Sequence, residues 1–535
     1  MNFIDKLLFI ITILLPVLVF GQNRWEVTYG IPNDDNYLFS KAIDYDRGIL
    51  LNWIADDNGK KNLSKMDVNG TEIWQKLVFN DGNIIQLEVL LSNNQQTVIG
   101  GSTKGFPFLT SLNKCYQTNW CSNFINNQLF HHGHFVDAII LDNGDILAMA
   151  YLEPPDIGLN KTDRIYLFYY DNMGNLLWYN LYASGTAYPL MEYPIPMYLT
   201  KFDNYYIISG FCYYPYPDNP DLLVLRPMFI RIDTEFDEQW MLPYGVEDSV
   251  VGMASGVIEK SQTGENIGVG RYAGIIGTFS VTPLMHFDSL GNETSIFLIL
   301  NDSIGPNIQA NSAIDIIALG DTNYILSSFF GTYPYGNPVG ELLLDTSYRV
   351  INSLSHPYTD INSTRIESLL DNSFSFGVNI YENPPENYNR DILLYKLNAD
   401  LSQAEFDTST IVYDSLCDSL PIVSDTIYLN NCSIITGIDE IPTPQEYYSF
   451  IKTIPVDVFP NPATSDIVFE LGNTGLHKNI RLSCFDINGK LVFEQSVQPA
   501  QTKLKSSVEN WQSGMYIAVT SSSTGGAGSV KFVVK

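Results

Sequence analysis

Residues 63–79 read LSKMDVNGTEIWQKLVF. Apolar and polar positions alternate, pause at Asp67-Val68-Asn69-Gly70, and resume through Trp74. A period of two predicts strands. Asn69-Gly70 supplies the positive φ that a short hairpin turn needs. The same pattern returns at residues 165–182 and 228–245, and in weaker form at 284–299, 341–354 and 392–406. Residues 106–124 keep the strands and Trp120 but replace the turn.

A second turn series precedes these copies: Asp46-Arg47-Gly48, Asn93-Asn94, Asn143-Gly144, Asp203-Asn204, Thr263-Gly264, Asp321-Thr322 and Asp371-Asn372. The period is about 50 residues, the length of a four-stranded propeller blade. Small residues follow several of these turns, as in Val98-Ile99-Gly100-Gly101, Ile207-Ile208-Ser209-Gly210 and Ile267-Gly268-Val269-Gly270. They suit innermost strands crowded around an axis. Both series count seven, so residues 22–410 are expected to form a seven-bladed β-propeller. Trp25 and Tyr29-Gly30 repeat the spacing of Trp240 and Tyr244-Gly245. An outer strand without a blade of its own predicts ring closure by the N-terminus, in competition with residues 403–407 of the last repeat.

Residues 1–21 read as a signal peptide: Lys6, then an apolar run interrupted by Pro16 and ending at Val19-Phe20-Gly21, too short for a membrane span. Residues 411–453 read as a connector rich in Asp, Ser and Pro. Seven short strands in residues 454–535, with turns at Asn473-Thr474-Gly475, Asn488-Gly489 and Gly525-Gly526, predict a β-sandwich. The fold class is therefore all-β throughout.

The last segment carries Val458-Phe459-Pro460-Asn461-Pro462-Ala463, then FDINGKLV at 485–492, GMYIAVT at 514–520 and a final VKFVVK. These motifs, in this order, resemble the type A sorting domain of type IX secretion cargo, an Ig-like sandwich. The resemblance implies the type IX machinery as a partner, with Pro460, Asn461, Pro462, Gly489, Gly514 and Tyr516 in the sorting motif. It further implies passage across the outer membrane, removal of the domain, and release or attachment at the surface. Pro460 and Pro462 are expected to stiffen the entry to the first strand. Gly489 and Gly514 are expected at tight backbone positions. The repeats are similar to the Asp-x-x-Gly-x-x-x-Trp blades of quinoprotein-like propellers, a likeness of fold and not of function.

Composition narrows the chemistry. The net charge is -30 at pH 7, the wrong sign for nucleic acid or an anionic membrane surface. Six cysteines in an exported chain point to disulfides, and sequence proximity pairs Cys115 with Cys121 and Cys417 with Cys432. Cys212 and Cys484 read as buried thiols. His131-His132-Gly133-His134 falls in an expected inter-blade loop, where an exposed polar turn outweighs a metal site. No cofactor is indicated. The Asp of each turn is expected to cap its own turn, and the acidic surface leaves calcium open. No nucleophile elbow, zincin motif or P-loop occurs.

Three readings stand: a non-catalytic binding or adhesion module, a polysaccharide hydrolase or lyase, and a structural surface component. Three or more carboxylates around a cleft at one mouth would favour the enzyme; an aromatic, acid-poor face would favour binding. The long connections carry Tyr193, Tyr213, Tyr214, Tyr216, Tyr333, Tyr335, Tyr381 and Tyr388 among prolines. Stiff loops bearing flat rings with polar tips suit a carbohydrate or protein ligand, and the face with the long loops is the expected ligand face.

Overall fold

The computed structural model describes most of residues 25–535. Residues 1–24, 154–163, 332–338, 382–388, 437–443 and 445–453, with shorter stretches between strands, lie outside the description. The signal segment, Asp371-Asn372, Tyr333, Tyr335 and Tyr388 therefore lie outside it. The chain divides into two compact units, one of Met1–Thr234 with Glu238–Ile441 and one of Pro442–Lys535 with Glu235–Asp237. No helix among the described residues is long and apolar enough to cross a membrane.

Among the described residues the first unit holds seven sheets in chain order, antiparallel apart from two added connector strands. The first six span residues 36–79, 85–124, 132–182, 192–243, 251–299 and 310–356. The seventh combines residues 359–397 with the N-terminal strand Glu26–Tyr29. Each apolar layer forms between neighbouring sheets, as where Ile314 and Ile325 pack with Phe376 and Tyr395. The seam between last and first is filled by Trp25, Leu38, Leu51, Trp53, Ile392 and Leu394. The N-terminal strand wins the outer edge of the seventh sheet, pairing Glu26 with Tyr395 and Tyr29 with Ile392. The rival residues 403–407 form no strand there; they are reduced to isolated contacts, as Leu397 with Gln403 and Ala404 N–H with Lys396 O.

The recurring turn has one mechanism. Asp67 Oδ1 accepts from the backbone N–H of Asn69 and Thr71, both at 2.8 Å. Asp171, Asp288 and Asp345 repeat this. The fourth residue takes positive φ: Gly70 at 79° and Gly174 at 87°. In the second sheet, Asn113 plays the Asp part and Tyr116 sits at 54°, so the replaced turn is the same turn built from other residues.

One expectation about the strands changes. The segments with small residues are second strands, not innermost ones. The first strand of each of the first six sheets carries a bulge, for example between Leu87 and Val89, Pro196 and Tyr198, and Ala254 and Val257. The bulge pushes a carbonyl against the second strand. A Cβ on Gly101, Gly210 or Gly270 would lie 1.9, 2.1 or 2.0 Å from the carbonyl oxygen of Gln86, Ile195 or Met253. Only glycine fits opposite those bulges.

The cysteines do bridge, with partners exchanged. Cys115 is bonded to Cys417 and Cys121 to Cys432. Cys121 pairs across its hairpin with Thr110, several residues from the turn holding Cys115. That gap of roughly 10 Å exceeds what a disulfide spans. The connector is no free linker, because it runs extended over the first two sheets. Thr426–Tyr428 adds in parallel to Leu77, Val78 and Phe79, and Ser433–Ile435 to Ser122, Asn123 and Phe124. Non-reducing peptide mapping should find peptides joining 115 to 417 and 121 to 432; a peptide joining 115 to 121 would refute this arrangement. Cys212 and Cys484 are buried free thiols.

The second unit has a three-stranded and a four-stranded sheet on one shared core that includes Val456, Phe469, Leu482, Tyr516 and Phe532. Pro460 and Pro462 follow the strand Val456–Phe459 and do not precede it, so they shape the link to the next strand. Asn461 Oδ1 there accepts from Val533 N–H at 3.0 Å. Asp486 caps its turn as in the repeats, with Gly489 at φ 77°. Gly514 opens a strand, and a Cβ there would meet nothing within 4 Å, so tight backbone geometry does not explain it. The Tyr516 hydroxyl donates to Gln512 O at 2.6 Å.

Candidate functional site

The bulged inner strands set side chains at the two ends of the ring. At the end where chains enter the inner strands, Glu88 occupies the bulge of the second sheet. His134 Nε2 lies 3.4 Å from Glu88 Oε2. Burial pushes the Glu88 carboxyl up to about 7, with Gln86 partly opposing, and burial lowers the His134 imidazole. His132 and His134 thus begin a strand, His132–Ile140, and do not sit in a loop. His134 lies 5.7 Å from the Tyr151 ring, and the Arg164 guanidinium donates to the Tyr151 hydroxyl. Arg164 also lies over the Tyr193 ring at 4.8 Å. Tyr193 meets Tyr213 edge-on at 5.9 Å and holds φ 47°, an unusual backbone state for a large residue and one that concentrates at functional sites. A continuous row therefore runs from Glu88 through His134, Tyr151, Arg164 and Tyr193 to Tyr213, across three sheets.

Of the expected ligand-face residues, this row takes Tyr193 and Tyr213. Tyr214 and Tyr216 share the strand Tyr205–Tyr216 with Tyr213. Strand alternation sends Tyr214 to the face opposite Tyr213. Tyr381 ends a strand of the seventh sheet opposite Arg390 and is remote from the row in the pairing order. Glu88 and Arg164 were missed by sequence reading, since neither belongs to a motif. The only signal was Glu88 itself, an acid at an inward position of an apolar strand.

The other end of the ring, beside the short hairpin turns, is also charged. A cavity of about 530 Å³ is lined there by Thr200, Glu259, Asp315, Arg365 and Glu367 among apolar residues. Asp137 and Asp315 each directly follow a bulge. Asp137 accepts from Leu199 N–H at 2.7 Å and from Ala138 N–H at 2.8 Å. Asp315 accepts from Ile366 N–H at 3.0 Å and Ile316 N–H at 2.9 Å. Each ties a bulge to the next sheet. Burial raises both carboxyls, Arg365 opposing. Glu259 accepts from Tyr205. The carboxylate count meets the threshold set for an enzyme, yet all but Glu367 already serve the fold. Glycoside cleavage needs two carboxyl groups free to act.

A third cluster is fully enclosed. Lys65 Nζ lies 2.6 Å from Asp44, 2.6 Å from Asp46 and 2.5 Å from Asp414. The three carboxylates could gather around a metal ion, but the lysine already occupies their centre.

A family model described as a secretion system C-terminal sorting domain matches residues 457–535. No curated protein matches the chain. Among solved structures the chain is similar to the Dos1 propeller, at 8% identity over 82% of this chain and 90% of that one, TM-score 0.34. It is similar to a subtype N11 neuraminidase-like protein of a flat-faced bat isolate, at 11% over 72% and 96%, TM-score 0.34. It is also similar to an endo-arabinase from Bacteroides thetaiotaomicron, at 8% over 51% and 94%, TM-score 0.31. Likenesses this distant carry no argument about chemistry.

Proposed function

We propose that this chain, which its sorting domain delivers through the secretion machinery to the cell surface or medium, is a non-catalytic binding or adhesion module. Its scaffold is a seven-bladed β-propeller, and its last unit an Ig-like sandwich of the type IX kind. The ligand is a carbohydrate or a protein. One observation carries this reading: the step of Tyr213, Tyr193, Arg164 and Tyr151 at the long-loop end. Edge-to-face rings and a guanidinium offer flat apolar faces with polar edges, which suit sugar rings and peptide planes. The tyrosines of the row sit on strands, which hold their side chains in fixed positions for a ligand.

A glycan and polysaccharide array with the purified mature chain, read for both binding and product release, tests this. Replacing Tyr193 and Tyr213 together by Ser should weaken any captured ligand at least about tenfold, as loss of a central aromatic anchor does. Retained binding in a folded double variant would move the site elsewhere. Product release would favour the second reading, a polysaccharide hydrolase or lyase. That reading has its own support in the Glu88 carboxyl, held near neutrality beside His134 as a general acid is. Glu88→Gln should then abolish release and leave binding intact.

A further inference from the structure

We propose that the cavity at the short-turn end is a second binding site, for a small zwitterion that carries an ammonium and a carboxylate, such as a free α-amino acid. It brings together two opposite charges two residues apart in sequence, Glu367 and an Arg365 that also pairs with Asp137. Glu367 lines the cavity and is the one lining carboxylate with no hydrogen bond among the described residues. Arg365 lines it too, two residues away, with its side chain 31% exposed. Its guanidinium is held in place on two sides. Asp137 Oδ2 lies 3.2 Å from Nη1, and the Tyr198 ring lies 4.1 Å beneath. Nε is enclosed, so the edge that can face the cavity is that of the terminal nitrogens. A planar guanidinium fixed in this way presents a donor edge that matches a carboxylate, while Glu367 accepts from an ammonium. The Lys41 ammonium donates to Arg365 O at 3.0 Å and attracts Glu367 through space.

Part of the remaining wall is apolar, with Phe202, Val257, Ile316 and Ile366 beside Thr200, Lys201, Glu259 and Asp315. An apolar wall with a few convergent polar groups is the usual composition of a small-ligand pocket, and about 530 Å³ lies inside the usual size range. Gly256 keeps the neighbourhood open, because a Cβ there would lie 2.6 Å from Asp315 Oδ1. A lone anion would gain Arg365 and Lys201 but meet Glu259, Asp315 and Glu367, and a lone cation would gain those carboxylates but meet Arg365 and Lys201. Only a molecule with both charges satisfies both.

Calorimetric titration of the mature chain tests this with alanine, acetate and methylammonium in parallel. Alanine should bind at least tenfold more tightly than either single-charge probe. Glu367→Gln removes no hydrogen bond of the fold and should reduce alanine binding at least tenfold. Arg365→Lys should do likewise, since a point charge loses the fork. Equal binding of alanine and acetate, or undiminished alanine binding by Glu367→Gln, would overturn the assignment. Loss of alanine binding in the Tyr193/Tyr213 double Ser variant, with Glu367→Gln unaffected, would also overturn it by placing the ligand at the opposite end.

Discussion

Replacing Trp25 by alanine is expected to lower stability by about 3–5 kcal/mol. The indole is wholly buried in the seam between first and last sheets, against Leu38, Ile49 and Met66 on one side and Ile392 and Leu394 on the other. Its main chain joins the ladder as well. Trp25 N–H donates to Ala404 O at 3.1 Å, and its carbonyl accepts from Lys396 N–H at 3.2 Å. The indole N–H donates to Val68 O in the first repeat turn. One side chain thus bonds the end of the ring to its start, and removing it leaves a cavity and an unpaired carbonyl. Urea and thermal unfolding of the mature chain measure the loss, with Trp25→Phe as a milder control. An unchanged midpoint in Trp25→Ala would show that the N-terminal strand does not close the ring.

Lys65→Met should cost a similar amount, about 3–5 kcal/mol, because breaking a buried ion pair strands the partner charges. Three carboxylates surround the ammonium, and the Tyr116 hydroxyl lies 3.0 Å from it. Asp414 comes from the connector and also accepts from Trp74 Nε1 at 3.1 Å, so the cage fastens the strap to the first sheet. Adding Asp414→Asn to Lys65→Met should restore part of the loss by removing one stranded charge. The pH dependence follows from two shifts. Burial raises the Asp44 carboxyl, but Lys65 and Lys114 outweigh it, and the net shift is downward. Burial lowers the Lys65 ammonium, but Asp44 and Asp46 outweigh it, and the net shift is upward. A depressed carboxyl stabilises above its unfolded pKa and loses that contribution as pH falls through the folded value. The raised ammonium stabilises below its unfolded pKa and loses that contribution as pH rises through the folded value. Wild type should therefore gain more stability than Lys65→Met between pH 3 and pH 6. Parallel profiles over that window would show that the cage contributes nothing.

What could be read from the sequence divides by range. Asp67 and Gly70 lie three residues apart, and their turn is dictated within that window, so the hairpins that keep this pair were legible, whereas the Asn113–Tyr116 turn was not. The closing strand was legible because Trp25 and Tyr29 copy the spacing of Trp240 and Tyr244. The disulfides were not. Their partners lie 302 and 311 residues apart, and proximity in sequence favours local pairs that the hairpin geometry forbids. Lys65 alternates like any solvent-facing strand residue, and nothing nearby announces that Asp414 will bury it. The site row was half legible. Tyr193 and Tyr213 stood out by composition, whereas Glu88 and Arg164 join them only through a bulge and a strand pairing that no local pattern encodes.

Export is tested most directly by deleting residues 454–535 and following the remainder by cell fractionation. The strap and both disulfides lie before the cut, and the core clusters of the ring share no residue with that of the deleted unit. The truncated ring should therefore fold, oxidise, and accumulate in the periplasm, absent from surface and medium. Its appearance in the medium at the level of the full chain would contradict the assignment of the address to the C-terminal unit.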